Sequence, residues 1–244
     1  MELPTLLLLC AASLVVAALV VVSGFGLGTA LTPLFLLVYD IKTAVFLTAI
    51  VHFANTFFRL ALFRRHIDWG LLRRFGLLSV IGAVAGSLLQ TRIGNPKLEL
   101  FLGVLLVVLG GIELLPARTS GWKLPRWFDL AGGLASGLLG GLVGNQGALR
   151  SGYLLNYGLS KEAFIATGTA IAVLIDLSRL PVYGASYGGE LAPLWPYLAA
   201  LVAAALVGTL VGKRLVERLP QEKFRPVVAV VVALTGLVLI AANL

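Results

Sequence analysis

The chain has 244 residues, 59% hydrophobic and 12% charged, with a net charge of +8 and a mean hydropathy of +0.99. A soluble domain of this length carries about 25% charged residues, so the composition excludes a water-soluble protein and indicates a polytopic membrane protein. A single cysteine, Cys10, excludes an internal disulfide and any cysteine-rich metal or redox centre, and no basic stretch is interleaved with aromatics as nucleic-acid binding would require.

The first apolar run, Leu3 to Tyr39, holds thirty-seven residues without a charge, interrupted by Gly24-Phe25-Gly26-Leu27-Gly28. One membrane helix needs about 20 residues, so the run is too long for one span and too short for two. It reads as a full helix, a break at the glycines and a short helix returning the way it came. Glu2, in place of a basic leader, argues against a secretory signal. Backbone left bare inside a bilayer is tolerated only where protein buries it or it lines a cavity, so the break is the first candidate transport site.

Apolar segments are expected at roughly 3–23, 28–39, 43–63, 70–90, 98–115, 128–143, 147–158, 162–182, 191–212 and 225–243, with a loop around 183–190. The last five repeat the pattern of the first five, the short seventh segment included. Gly82-Ala-Val-Ala-Gly86 sets against Gly208-Thr-Leu-Val-Gly212, Gly28 against Gly147, Lys42 against Lys161, and Thr48 against Thr167. Such internal repeats build many secondary transporters. The expected fold is therefore all-α: residues 1–116 and 128–244 form two repeats of about five segments, each beginning with a broken helical hairpin, joined by a cytoplasmic linker at 117–127. No loop is long enough to fold alone, so the repeats make one membrane domain.

Lysine and arginine set the orientation. Loop 64–74 holds Arg64, Arg65, Arg73 and Arg74; loop 116–127 holds Arg118, Lys123 and Arg126; loop 213–225 holds Lys213, Arg214, Arg218, Lys223 and Arg225. These loops share a side only if each broken pair returns to its starting face. Both termini then lie outside and the halves are inverted. With Lys161, 13 basic residues are cytoplasmic, while Lys42, Arg92 and Lys97 are external. Fusing each broken pair into one crossing would place the 213–225 charges outside, and that topology is rejected.

The second break reads Gly144-Asn145-Gln146-Gly147-Ala148-Leu149-Arg150-Ser151-Gly152. Each short helix starts at its break, so two helix N-termini, with bare N–H groups and positive dipole ends, should meet at mid-membrane and favour an anion. Gly26, Gly28 and Gly147 let backbone and ligand approach closely. Thr29, Thr32, Asn145, Gln146 and Ser151 add neutral polar groups at the same depth. Arg150, costly to bury, is expected to contact the anion; the alternative is a cap on bundle carbonyls. These nine residues are the candidate substrate site.

Five more residues form a candidate gating or proton-coupling group. Asp176 and Arg179, three apart, can pair on one helix face, as a structural ion pair or as a gate. His52 is a packing residue or a titrating one, with Asn55 on the same face. Arg59 is a residue snorkelling to the cytoplasmic surface or part of the gate. Thr48, Thr167 and Thr169 are expected near the breaks, and the small-xxx-small pairs Gly82/Gly86 and Gly208/Gly212 are read as helix packing. No nucleophile–base pair, metalloprotease motif or nucleotide loop stands out, and Gly24–Gly28 lacks the strand a dinucleotide fingerprint needs. An enzyme is not expected, nor a metal or other cofactor.

With these pieces in view, the chain resembles the TauE/SafE family of sulfite and organosulfonate exporter-like permeases. The similarity rests on Gly24-Phe-Gly-Leu-Gly-Thr…Pro33, on Gly137 to Leu155, and on Lys161-Glu-Ala-Phe-Ile-Ala-Thr-Gly-Thr169. Where many members carry a glycine triplet followed by proline in the second break, this chain has Asn145-Gln146-Gly147. The resemblance implies export of small sulfur-containing anions across the cell membrane; the residues alone say only "small anion". A carboxylate transporter and an anion channel of the same architecture stay open as alternatives. The expected partners are a small anionic substrate and the bilayer, not nucleic acid, and a homodimer stays open too.

Overall fold

The computed structural model describes residues 3–23, 26–114, 125, 128–154, 157–216 and 221–244. Gly24 and Phe25 of the first break, Arg218, and the expected linker 117–127 apart from Pro125 lie outside the described residues. Among the described residues every regular element is helical: α1 (Leu3–Ser23), α2 (Leu27–Phe35), α3 (Ile41–Phe63), α4 (Trp69–Leu71), α5 (Leu77–Arg92), α6 (Asn95–Leu114), α7 (Phe128–Val143), α8 (Gly147–Leu154), α9 (Lys161–Leu191), α10 (Trp195–Val216) and α11 (Gln221–Ala242). A π-turn, Leu72–Gly76, fuses α4 to α5. Among the described residues five helical stretches are long and apolar enough to cross a membrane: Ile41–Ala61, Trp69–Arg92, Asn95–Ile112, Glu162–Gly189 and Ala192–Arg214. Leu3–Leu19, Phe128–Val143 and Ala229–Ala242 are shorter apolar helices. The protein is an all-helical, multi-pass membrane protein.

Local sequence sets the helix starts. The Asp40 carboxylate accepts from the Lys42 and Thr43 amides (3.0 and 3.4 Å) to cap α3, Asp68 accepts from Leu71 N (2.9 Å) to cap α4, and Ser160 Oγ accepts from Ala163 N (3.2 Å) to cap α9. At the two short helices the pattern differs. The N-cap of α2 is Gly26, which has no side chain to offer. Gly144, at φ +77°, ends α7 in the left-handed region, and the amides of Gly144 and Asn145 turn back to the Gly140 and Leu139 carbonyls (3.1 and 3.3 Å).

Glycine rows then dictate which helices meet. Any Cβ at Gly82 or Gly86 of α5 would run into the Leu134 or Leu138 carbonyl of α7, and one at Gly133, Gly137 or Gly141 would run into the Phe75, Ser79 or Ala83 carbonyl. The rising register makes α5 and α7 parallel and nearly touching at the backbone. α10 lies on α1 in the same manner, Gly208 against Leu14 and Gly212 against Ala18. α6 and α11 run antiparallel, with Gly103 against Gly236 and Gly110 against Ala229. α3 and α9 form the central antiparallel pair, from Phe46 on Tyr183 (ring centroids 5.7 Å apart) to the Asp68 amide on Thr167 Oγ1 (2.9 Å).

The expected loop at 183–190 is a correction. α9 continues through Pro181 to Leu191, and only Ala192–Leu194 links it to α10. Glycine and proline weaken helix here, but Tyr183 is fully buried against Phe46 and Lys42 sits over the Tyr187 ring (5.9 Å), so packing on α3 overrides local propensity. The bundle has two ends. Asp40, Thr91, Asn95, Glu99 and Asn243 cluster at one through the Lys42–Thr91, Asn95–Asp40 and Asn243–Glu99 contacts. Arg64, Arg65, Arg73 and Arg74 lie at the other, where Arg74 Nε meets Asp129 (3.4 Å).

Candidate functional site

The two breaks meet. A Cβ on Gly147 would lie 3.1 Å from Gly26 Cα, and one on Gly26 would lie 3.5 Å from Gly147 Cα. Gly28 is pressed against the Gly144 carbonyl so closely that a Cβ would overlap it. Thr29 Oγ1 donates to Asn145 Oδ1 (2.8 Å), tying the first turn of α2 to the residue before α8. Thr32, one turn on, donates to Thr48 Oγ1 of α3 (3.3 Å). Thr29, Thr32, Asn145 and Gln146 are each no more than 2% exposed. Two helix N-termini thus face one another in a buried polar seam, where amide dipoles add to a positive potential.

Arg150 stands one turn into α8, on the face of Gln146, whose carbonyl accepts from the Arg150 amide (3.3 Å). Its Nε and Nη1 are buried and have no hydrogen-bond partner among the described residues. A Cβ on Gly168 of α9 would lie 3.1 Å from Leu154 Cδ1 and 3.7 Å from Nε, so this glycine faces both side chains. The charges close enough to act on it are Asp176, of opposite sign, and Arg59, of like sign. Among the described residues no carboxylate pairs with it.

Behind the seam lies a fully buried network on α9. Asp176 Oδ1 accepts from Arg179 Nε (3.0 Å) and Nη2 (2.8 Å) and from Gln146 Nε2 (3.2 Å). Its Oδ2 faces His52 Nδ1 at 2.6 Å, with the Thr56 hydroxyl at 3.5 Å. Arg179 Nη1 donates to the Gly140 carbonyl (2.7 Å), and the Tyr183 hydroxyl donates to that of Gly141. Two carbonyls near the end of α7 are thereby satisfied by α9 side chains. The network reaches the break through Gln146.

Most of the residues singled out from the sequence thus converge, and some do not. Gly26, Gly28, Thr29, Thr32, Asn145, Gln146 and Gly147 form the seam, Arg150 flanks it, and His52, Asp176 and Arg179 join it through Gln146. Asn55 turns away, donating to Thr209 Oγ1 of α10 (2.5 Å). Ser151 is half-buried, and among the described residues its side chain makes no hydrogen bond to the seam. Arg59 is half-buried, without a hydrogen-bond or ion-pair partner among the described residues. Thr167 binds the Asp68 amide rather than the breaks.

Thr56, Ser136 (Oγ to the Gln146 carbonyl, 3.1 Å) and Tyr183 were not singled out. Tyr183 was discoverable, since 176, 179 and 183 share one helical stripe. A second buried carboxylate, Asp129 in the first turn of α7, takes the Tyr157 hydroxyl and Arg74. Burial and that hydrogen bond push Tyr157, in the loop after α8, up to about 12, so it stays a protonated donor. Among the described residues no group of three or more His, Cys, Asp and Glu side chains converges as a metal site would need.

A family model described as "Sulfite exporter TauE/SafE" matches residues 9–239. The chain belongs to the TauE/SafE family. That match covers both breaks, Arg150 and the α9 network, and it makes the protein a membrane transporter of the sulfite-exporter type. No curated protein matches the chain.

Proposed function

We propose that this TauE/SafE protein is a secondary transporter that exports small sulfur-containing oxyanions, sulfite or organosulfonates, across the cell membrane by alternating access. One observation carries the reading: two helix N-termini meet in a buried seam beside an arginine whose Nε and Nη1 have no hydrogen-bond partner among the described residues. An isolated buried guanidinium is costly, and a bound oxyanion supplies the missing charge and hydrogen bonds together. Gly26, Gly28 and Gly147 let the two breaks close together at the site, Thr29, Thr32, Asn145 and Gln146 surround the ligand, and Arg150, with Ser151 beside it, neutralises it.

Residues 1–116 and 128–244 act as two inverted halves. The exchange of α1 with α7 and of α5 with α10 supports this, since it carries the α5–α7 pair onto α10–α1 and leaves α3–α9 and α6–α11 as pairs. Both termini are extracytoplasmic and the arginine-rich end is cytoplasmic, supported by the lysine and arginine asymmetry. His52, held on Asp176, is the proton-coupling group, and Arg179 and Arg59 belong to the gate. The His52–Asp176 pair is linked to the seam through the Gln146 amide.

Vesicles containing the purified protein and loaded with sulfite test this. Expected are saturable efflux, its stimulation by an imposed proton gradient, and loss of that stimulation in His52→Gln. Acetate outpacing sulfite would turn the reading to carboxylates, and efflux that never saturates would turn it to a channel.

A further inference from the structure

Gln146 carries an atom that an oxyanion cannot satisfy. Its side chain is 1% exposed and its Nε2 donates to Asp176 Oδ1 (3.2 Å). Asp176 already takes Arg179 on that oxygen and faces His52 and Thr56 with the other, so it is an acceptor toward the amide. Turning the amide round would set oxygen against oxygen. The orientation is therefore forced, and it leaves Oε1 directed away from Asp176, buried and without a hydrogen-bond partner among the described residues. Its neighbours in the same state are all donors: Asn145 Nδ2, and Nε and Nη1 of Arg150 one turn along.

Three unmatched donors suit any oxyanion. The unmatched acceptor is the odd member, and it discriminates. A ligand bearing only lone pairs can meet the donors but leaves Oε1 unpaired, whereas one with an O–H can meet the acceptor as well. Resting on the oxyanion site proposed above, we propose that this site selects singly charged oxyanions that carry a hydrogen-bond donor, and that Gln146 reads that donor. The donor has two sources, a protonated inorganic oxyanion such as hydrogen sulfite or a hydroxyl-substituted sulfonate.

Equilibrium binding of three monoanions to the purified protein, at one mildly acidic pH, tests this: hydrogen sulfite, hydroxymethanesulfonate and methanesulfonate. Leaving a buried acceptor unpaired weakens binding by roughly tenfold or more, so at least one of the two donor-bearing anions should exceed methanesulfonate by about that factor. Which of them does so identifies the source. In Gln146→Met, which keeps length and removes the acceptor, the ratio should fall to about one as the unmet acceptor disappears. Equal binding of all three by the wild type overturns the specificity and leaves the anion site standing. Failure of all three to bind removes the site and the specificity together. The wild-type ratio tests the specificity without any variant, and an undiminished ratio in a folded Gln146→Met protein overturns the role of Gln146.

Discussion

Asp176→Asn isolates the energetics of the network beneath the seam. Asparagine keeps the size of the side chain and one acceptor oxygen, so the perturbation is the loss of charge. In the wild type both Nε and Nη2 of Arg179 bond Oδ1, at 3.0 and 2.8 Å, and neither residue touches solvent. Without the carboxylate, Arg179 becomes an uncompensated buried cation. Breaking such a pair from one side costs about 3–5 kcal/mol. At 2–4 °C per kcal/mol for a chain of this size, the thermal midpoint should fall by roughly 6–20 °C. Adding Arg179→Met removes the stranded charge, and the double variant should regain roughly half of the loss, because a pair deleted from both sides is far less costly than one broken. Recovery stays partial because His52, Gln146 and the Gly140 carbonyl still lose partners. Midpoints are read on purified protein in one detergent at one scan rate. A single variant within about 1 kcal/mol of wild type, or a double variant less stable than the single, would refute the reasoning.

Two further outcomes are expected. Gly28→Ala forces a methyl onto the Gly144 carbonyl, so it should cost about 1–3 kcal/mol and weaken anion binding, while Gly111→Ala on α6, whose Cβ meets nothing within 4 Å, should do neither. In a Cys10→Ala background, a cysteine at exposed His66 should resist an impermeant thiol reagent added outside intact cells and one at Leu244, 94% exposed, should react; the opposite pattern would invert the topology.

The breaks and Arg150 were legible in the sequence because glycine and arginine are conspicuous in a leucine- and valine-rich chain. Asp176–Arg179 was legible because three-residue spacing on a helix is a local fact. The partner of His52 was not, since Asp176 lies 124 residues away and helical periodicity orders residues on one face without saying which faces meet. Thr32 on Thr48 and Thr29 on Asn145 were hidden for the same reason, although all four residues stood out as polar groups in apolar runs. The loop expected at 183–190 failed because Gly184, Gly188 and Gly189 signal a break that the contacts of Tyr183 and Tyr187 with α3 outweigh. Family resemblance supplied the sulfur chemistry, which no side chain here encodes by itself.

Arg150→Gln bears most directly on the central claim that an oxyanion binds where the two short helices meet. Since Nε and Nη1 are buried without hydrogen-bond partners among the described residues, neutralising the side chain removes a desolvated charge and should leave the ligand-free thermal midpoint level or raise it. Sulfite affinity of the same purified variant should fall by roughly 10- to 150-fold, the value of a hydrogen bond to a charged group, with Arg150→Lys restoring part of it. A well-folded Arg150→Gln protein that binds sulfite as the wild type does would contradict the account.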